Sequence, residues 1–166
     1  MVYPHAFSHV GITVPDIDKA IEWYGEVLGF TLLAGPMDVR GGEGPAGEAS
    51  GDIFGAGLGR FRLAHMVGAN GMGLEIFEFL EPEVEAPEDN FEYWKIGIFH
   101  FCVVDADIGG LAGRIAKAGG KQRSKVWSLA PGKPYKVCYC EDPWGNIVEI
   151  NSHSYEQTWS NLLDQD

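Results

Sequence analysis

The feature that most constrains this chain is a short stretch that occurs twice. Residues Phe7–Ile17 are matched by Ile98–Ile108. The aligned pairs that matter are His9 with His100, Asp16 with Asp107 and Ile17 with Ile108. After each Asp the apolar residues recur at the spacing of one helix face. Each copy therefore predicts a strand that carries one His, an Asp that caps a helix, and an amphipathic helix.

The repeat extends to a second pair of short segments. Gly71–Ile76 and Gly145–Ile150 both read G-x-x-x-E-I, which places Glu75 and Glu149 on the last strand of their modules. A carboxylate among large apolar side chains is costly unless it is paired or bound to a cation. Two modules related by a pseudo-twofold axis would bring four side chains together. The predicted metal ligands are His9, Glu75, His100 and Glu149.

This set of side chains favours a divalent first-row metal. Two imidazoles and two carboxylates suit Ni, Co, Mn, Fe or Zn, and are too rich in nitrogen for Mg or Ca. Open coordination positions would let the metal polarise a carbonyl or enediolate oxygen of a substrate. Glu78 competes with Glu75 for the ligand role, but strand alternation puts it on the opposite face.

The pattern of strands and helices divides the chain into four parts. Residues 1–80 are a first βαβββ module, 81–95 an acidic, proline-containing linker, 96–151 a second βαβββ module, and 152–166 a tail that forms a short helix. The predicted fold is α+β, a curved eight-stranded sheet with helices on its outside. The predicted elements are strands 7–14, 30–39, 61–67, 72–80, 96–104, 121–129, 135–141 and 147–151, and helices 16–28 and 107–118.

The glycine-rich stretch 40–51 does not match any regular element. We expect a mobile loop that covers the site, poorly ordered without ligand and cut first by proteases. Its glycines do not follow a strand and open a helix, so it is not interpreted as a phosphate loop.

Charge and composition narrow the possible partners. The net charge is −12, from 12 basic and 24 acidic residues, and such a surface repels nucleic acid. There is no apolar run long enough to cross a bilayer and no signal peptide at the N-terminus, which predicts a cytoplasmic protein without membrane contact. The three cysteines, Cys102, Cys138 and Cys140, are interpreted as reduced packing residues.

The chain resembles the vicinal oxygen chelate superfamily, which includes glyoxalase I, methylmalonyl-CoA epimerase, extradiol dioxygenases and metal-free bleomycin resistance proteins. The resemblance covers about residues 7–151. It rests on these motifs: Ser8–Asp16, Trp23-Tyr24 with Leu28-Gly29-Phe30, His100, and Asp142–Asn146 with Glu149.

The resemblance implies a metal site and a reaction. The metal positions of the superfamily match His9, Glu75, His100 and Glu149, with Glu149 or Glu75 also acting as the base. In extradiol dioxygenases the position of Glu75 is not a ligand, so Glu75 favours a glyoxalase I-like lyase or isomerase that acts on a substrate with vicinal oxygens. The alternatives are an Fe(II) ring-cleaving dioxygenase and a non-catalytic binder of small molecules. A homodimer is expected, with the site inside one chain or shared between two.

Several other side chains are interpreted as structural. His65 and His153 could lie near the site but are placed at the surface, and His5 is placed in the terminus. Tyr135 and Tyr139 share a strand face and could line a pocket, but they are interpreted as packing residues. The basic residues near one hairpin would be solvated, although they could also receive a substrate carboxylate. These residues are Arg123, Lys125, Lys133 and Lys136.

Overall fold

The structure is a computed structural model that describes residues 3–161. The chain divides into two compact units, Met1–Ala86 and Pro87–Asp166. The first unit contains β1 (His9–Thr13), α1 (Ile17–Leu28), β2 (Thr31–Arg40), α2 (Gly44–Phe54), β3 (Arg60–Val67) and β4 (Gly73–Glu81). The second contains β5 (Phe101–Val104), α3 (Ile108–Lys117), β6 (Lys121–Gln122), β7 (Trp127–Ser128), β8 (Lys136–Glu141), β9 (Ile147–Asn151) and α4 (Tyr155–Asn161).

The sheet of the first unit has the strand order β1-β4-β3-β2, with β1 and β4 parallel and the other pairs antiparallel. Helix α1 is capped at its N-terminus by Asp16, whose side chain accepts a hydrogen bond from the backbone N–H of Lys19. It ends at Gly29, which has a φ of 72° and therefore the left-handed conformation that glycine adopts without strain. One face of this sheet is covered by α1, and the opposite face carries Glu75.

The core of the first unit lies between α1 and its sheet. Apolar side chains from the helix pack on alternate residues of the strands, as expected for a sheet with one covered face. Fully buried members of this core are Ile17, Ala20, Tyr24, Ala64 and Ile76. Arg62 ties helix to sheet, since its guanidinium donates to Asp18 of α1 and to Glu78 of β4.

The second unit repeats this architecture with the strand order β5-β9-β8-β6, and β7 also pairs with β8. Strands β5 and β9 are parallel, as β1 and β4 are. Asp107 caps α3 by accepting a hydrogen bond from the backbone N–H of Gly110. The buried core of this unit includes Ile108, Leu111, Ile115, Val148 and Ile150.

The α+β fold of two modules, each a strand, a helix and further strands, is confirmed. The strands are hydrogen-bonded as two sheets, one in each unit, rather than as one ladder. The strand predicted over 96–104 begins only at Phe101. The strand predicted over 121–129 is two short pieces, because residues 123–126 form a bulge opposite two residues of β8, between the pairs Gln122–Cys140 and Trp127–Val137. The short helix predicted in the tail is α4.

The prediction of a loop over 40–51 was wrong, because residues Gly44–Phe54 form helix α2. Pro45 occupies the first turn, where its fixed φ suits a helix and no N–H is needed. Gly47 is buried, and a Cβ there would collide with the carbonyl oxygen of Arg40. Glycine at this position therefore allows the helix to approach the end of β2 closely, a tertiary contact that outweighs the low helix propensity of glycine.

Two further observations concern the environment of the chain. Among the described residues, no helix has the length and the apolar composition that a membrane span requires. All three cysteines are free thiols, with Cys138 and Cys140 buried in β8 and Cys102 exposed in β5.

Candidate functional site

The register of the two parallel strand pairs places the candidate ligands at equivalent positions. In the first unit Glu75 of β4 is the partner of Gly11 in β1. In the second unit Glu149 of β9 is the partner of Cys102 in β5. His9 and His100 each precede that partner by two residues, so each His lies on the same sheet face as its Glu. The repeat seen in the sequence therefore corresponds to a repeat of the parallel strand pairing, here called the ladder, with one His and one Glu at the same positions in each copy.

The first half-site consists of His9, His65 and Glu75. His9 Nε2 lies 3.5 Å from Glu75 Oε2, and His65 Nδ1 lies 3.4 Å from Glu75 Oε1. His9 reaches this position beside Gly73, where a Cβ would come within 2.9 Å of the Cβ of His9. The His9 side chain is half exposed, which leaves the half-site open to solvent.

His65, interpreted as a surface residue with a position near the site as the alternative, is partly exposed and lies beside Glu75. It faces Glu75 directly across the antiparallel pair β3–β4, where neighbouring side chains come close enough to interact. Glu78 lies on the opposite face, as predicted, and accepts a hydrogen bond from Arg62 at 3.0 Å. Glu75 is therefore the acidic residue of β4 that belongs to this half-site.

The second half-site consists of His100, Tyr139 and Glu149. His100 Nε2 lies 2.8 Å from Glu149 Oε2, and the Tyr139 hydroxyl donates a hydrogen bond to the same oxygen at 3.1 Å. Tyr139 of β8 faces Glu149 across the ladder, as His65 faces Glu75 in the first unit. The Tyr139 ring also meets the His100 ring edge-on, with centroids 5.5 Å apart. Tyr139, interpreted as packing, thus contacts both candidate ligands.

Burial and charge affect two groups next to Glu149. Desolvation, together with the Glu149 carboxylate, raises the pKa of the Tyr139 hydroxyl well above its usual range. Although Cys102 is exposed as a whole residue, partial burial of its thiol together with the Glu149 carboxylate raises the pKa of that thiol to about 12. Both groups therefore stay protonated at neutral pH, and Tyr139 can act as a hydrogen-bond donor to Glu149.

A segment of the predicted linker lies over the second half-site. The Phe91 ring packs against Tyr139, with centroids 5.9 Å apart, and the Arg123 guanidinium lies 4.7 Å from the centre of Phe91. Arg123 also donates to Asp89 and to Glu141. Arg123 is thus held by two carboxylates, whereas Lys125 lies over the Trp127 ring of the exposed hairpin.

Four phenylalanine side chains form an aromatic surface in the first unit, here called the phenylalanine patch. Phe77 and Phe79 of β4 follow Glu75 on the same sheet face, and Phe61 of β3 is the partner of Phe79. Phe54, at the end of α2, meets the other three rings edge-on at centroid distances of 5.5–6.0 Å. The patch therefore begins two residues along β4 from Glu75, at the next position on the same sheet face.

The donor atoms of each half-site suit a transition metal. Each offers an imidazole Nε2 and a carboxylate oxygen at 2.8 Å or 3.5 Å, separations that two ligands of one ion can take up. Across residues 3–161, no three or more His, Cys, Asp or Glu side chains come together as a metal-binding group, and each half-site by itself offers two of the four candidate ligands. In the same range His100 Nδ1 is buried without a hydrogen-bond partner.

Fold and half-sites together define a duplicated α+β protein with one His–Glu pair in each repeat. The family model of the Glyoxalase/Bleomycin resistance protein/Dioxygenase superfamily matches residues 6–150. The chain belongs to this superfamily, and the resemblance inferred from the sequence motifs is confirmed.

Individual relatives are more distant. The chain is 26% identical over 149 residues to a 2-epi-5-epi-valiolone epimerase from an Actinomyces species, covering 87% of this chain and 78% of that protein. A glyoxalase family protein from Bacillus cereus has a similar structure, with a TM-score of 0.72, 24% identity, and coverage of 91% of this chain and 97% of the other. A fosfomycin resistance protein from Listeria monocytogenes, crystallised with Mn(II), has a TM-score of 0.61 at 11% identity, covering 98% and 100%. These structural similarities concern the fold.

Proposed function

We propose that this protein is a metal-dependent isomerase or lyase that moves a proton at a carbon next to a carbonyl group. The observation that carries the proposal is the repeated His–Glu pair in equivalent register. A single pair is a common structural ion pair, but two pairs at matched ladder positions would together give the four ligands that we propose. The proposed ligands of one divalent ion (Ni, Co, Mn, Fe or Zn) are His9, Glu75, His100 and Glu149.

The chain's own residues account for the proton transfer. When bound, the metal supplies a Lewis acid for the vicinal oxygens of the substrate, which makes the neighbouring C–H more acidic. Glu149 or Glu75 takes that proton and returns it to the same carbon or to its neighbour. Return to the opposite face of the same carbon is epimerisation, the activity that names the Actinomyces relative.

Elemental analysis of the purified protein tests the metal directly. We expect stoichiometric Ni, Co, Mn, Fe or Zn, loss of activity after chelation, and recovery when that metal is added back. Activity is followed by proton magnetic resonance, as exchange of the C–H next to the carbonyl in a panel of small α-hydroxy ketones in D₂O. Full exchange in the presence of a strong chelator would contradict the proposal.

Two other functions give different results in the same preparation. A ring-cleaving dioxygenase would consume oxygen with a catechol. A non-catalytic binding protein would carry no metal and bind its ligand equally well after His100→Ala. Glu75 favours the isomerase or lyase, because the resemblance to extradiol dioxygenases assigns that position no ligand role.

We also propose a homodimer in the cytoplasm, in which the ligands come from one chain or from two. Inactive His9→Ala and His100→Ala proteins are mixed under conditions that exchange subunits. If each site takes its two pairs from different chains, one intact site per heterodimer restores activity. If heterodimers form and stay inactive, the site lies within one chain, and a monomer at every concentration contradicts the dimer.

A further inference from the structure

We infer that the phenylalanine patch is a binding subsite for an apolar, ring-sized group of the substrate. The inference deepens the proposed function, because it names the class of molecule that the metal site receives. That class is a compound in which a vicinal-oxygen unit carries an aromatic or alkyl substituent, as opposed to one with hydroxyl groups on every carbon.

The first argument is position along the strand. Phe77 is two residues beyond Glu75 on the same face of β4, and two residues of a strand span roughly 7 Å. A ring attached directly to the oxygen-bearing carbons reaches about this far. On the neighbouring strand β1, Thr13 is the partner of Phe77, whereas the partner of Glu75 is Gly11, which puts no side chain beside the Phe77 ring. A Cβ at Gly11 would touch the Phe77 ring at 3.4 Å.

The second argument is the arrangement of the rings. Phe77 and Phe79 are stacked within 6° of parallel, and both stay half-buried. Phe54 stands edge-on to them and is 46% exposed, so it closes the far side of the patch without covering it completely. A flat group placed beside Phe77 would gain the offset or edge-to-face contacts that aromatic rings prefer.

The third argument is the way in which α2 is fixed. Buried Gly47 fits against the Arg40 carbonyl, and this contact anchors the helix to β2. Phe54 is the last residue of α2 and contacts three rings of the sheet face. Its neighbour Ile53 is 72% exposed. The helix therefore places one side chain on the site face and leaves the next one in solvent, which provides a matched control.

Two hydroxamates test the subsite. Acetohydroxamate and benzohydroxamate chelate metal ions through the same pair of oxygens and differ in a methyl or phenyl substituent. Their affinities are measured by calorimetry on protein loaded with the metal that elemental analysis identifies. We expect benzohydroxamate to bind about tenfold more tightly or better, because its ring is removed from water on the patch.

The variants Phe54→Ala and Ile53→Ala assign that preference to the patch. Phe54→Ala is expected to reduce the preference for the phenyl compound to about threefold or less and to leave acetohydroxamate affinity unchanged. Ile53→Ala should leave both affinities unchanged. Phe54→Leu, which keeps an apolar contact between α2 and the sheet, is measured as well in case Phe54→Ala does not fold, and should reduce the preference partially.

The possible failures are distinguishable. If both hydroxamates bind the native protein equally, the subsite is wrong and the metal site stands. If the phenyl preference survives Phe54→Ala and Phe54→Leu unchanged, the ring binds elsewhere and the subsite is wrong. If neither hydroxamate binds, the proposed metal site is contradicted, and the subsite with it.

Discussion

The two half-sites share a backbone arrangement and differ in what surrounds the proposed ligands. In the first, His9 and Glu75 are 3.5 Å apart, with side chains 50% and 26% exposed. In the second, His100 and Glu149 are 2.8 Å apart and only 26% and 15% exposed. The residue opposite the Glu is an imidazole in one unit and a phenol in the other.

The duplicated ladder therefore sets where the proposed ligands lie, whereas the neighbouring side chains set how firmly they are held. Tyr139 donates to Glu149 and is itself packed under Phe91. His65 approaches Glu75 at 3.4 Å, with no ring packed upon it among the described contacts. We therefore expect the second half-site to be preorganised for metal, because its ligands need little rearrangement.

The largest expected effect is a loss of folding stability, and it should be equal in the two units because their cores are equivalent. Ile76 and Ile150 each follow the candidate Glu and are fully buried. Truncation of either to Ala should lower the free energy of unfolding by about 2–5 kcal/mol, measured by urea denaturation. A cost below about 1 kcal/mol at either position would show that the two cores are not equivalent.

Removal of one imidazole from each half-site tests the inequality of the two halves. His100→Ala should lower metal affinity by about 100-fold or more, and His9→Ala by less, because His9 is the more exposed and less constrained ligand. Metal content is measured after dialysis against graded chelator. His5→Ala serves as the control, and equal losses for His9 and His100 would break the comparison.

Changing the residue opposite each Glu gives a smaller effect. Tyr139→Phe keeps the ring against Phe91 and His100 but removes the donor to Glu149, and should weaken metal binding about tenfold. His65→Gln should change it by about threefold or less, since that contact is long. Calorimetric titration with the metal measures both. A greater loss for His65→Gln would reverse the proposed order of the half-sites.

The smallest expected effect is a pH-dependent change in stability. It concerns the segment around Asp89 and Phe91, which lies over the second half-site. Hydrogen bonds from the Phe91 backbone N–H and from Arg123 lower the pKa of Asp89. A carboxyl group whose pKa is lower in the folded than in the unfolded chain stabilises the fold at pH values above its unfolded pKa of about 3.9. This stabilisation is lost as the pH falls through the pKa of the group in the folded state. Asp89→Asn should therefore be slightly less stable than native protein at pH 7 and equal to it near pH 2. Thermal unfolding across this range measures the difference, and a constant gap would contradict it.

Much of the fold could be predicted because its signals are local. Asp16 and Asp107 mark helix starts, Gly29 marks a helix end, and the apolar spacing after each Asp identifies the buried face. The pairing of each His with its Glu also followed from the sequence, since the duplication aligned them. Their role as metal ligands stays a prediction.

The neighbours of the ligands could not be predicted, because cross-strand contacts depend on register. Nothing in the β3 or β8 sequence alone shows that His65 or Tyr139 lies opposite a Glu. The available signal was the hairpin register. Counting residues back from each matched glutamate through the hairpin turn identifies the residue opposite it on the preceding strand. Helix α2 was missed for a related reason, since its glycines favour a loop until the contact of Gly47 with Arg40 is known.

Strand β2 has a consequence for how such a chain can change during evolution. It is an edge strand, exposed at every position except half-buried Val39, and it leads directly into α2. Here β2 and α2 together are called the β2–α2 arm. Substitutions along β2 meet few packing constraints, while the His–Glu pair lies on β1 and β4, at the other side of the sheet. Selection can therefore lengthen, shorten or replace the β2–α2 arm, and with it Phe54, without disturbing the residues proposed to carry the chemistry. Given the role proposed for Phe54, new substrate preferences would be acquired most easily in this region.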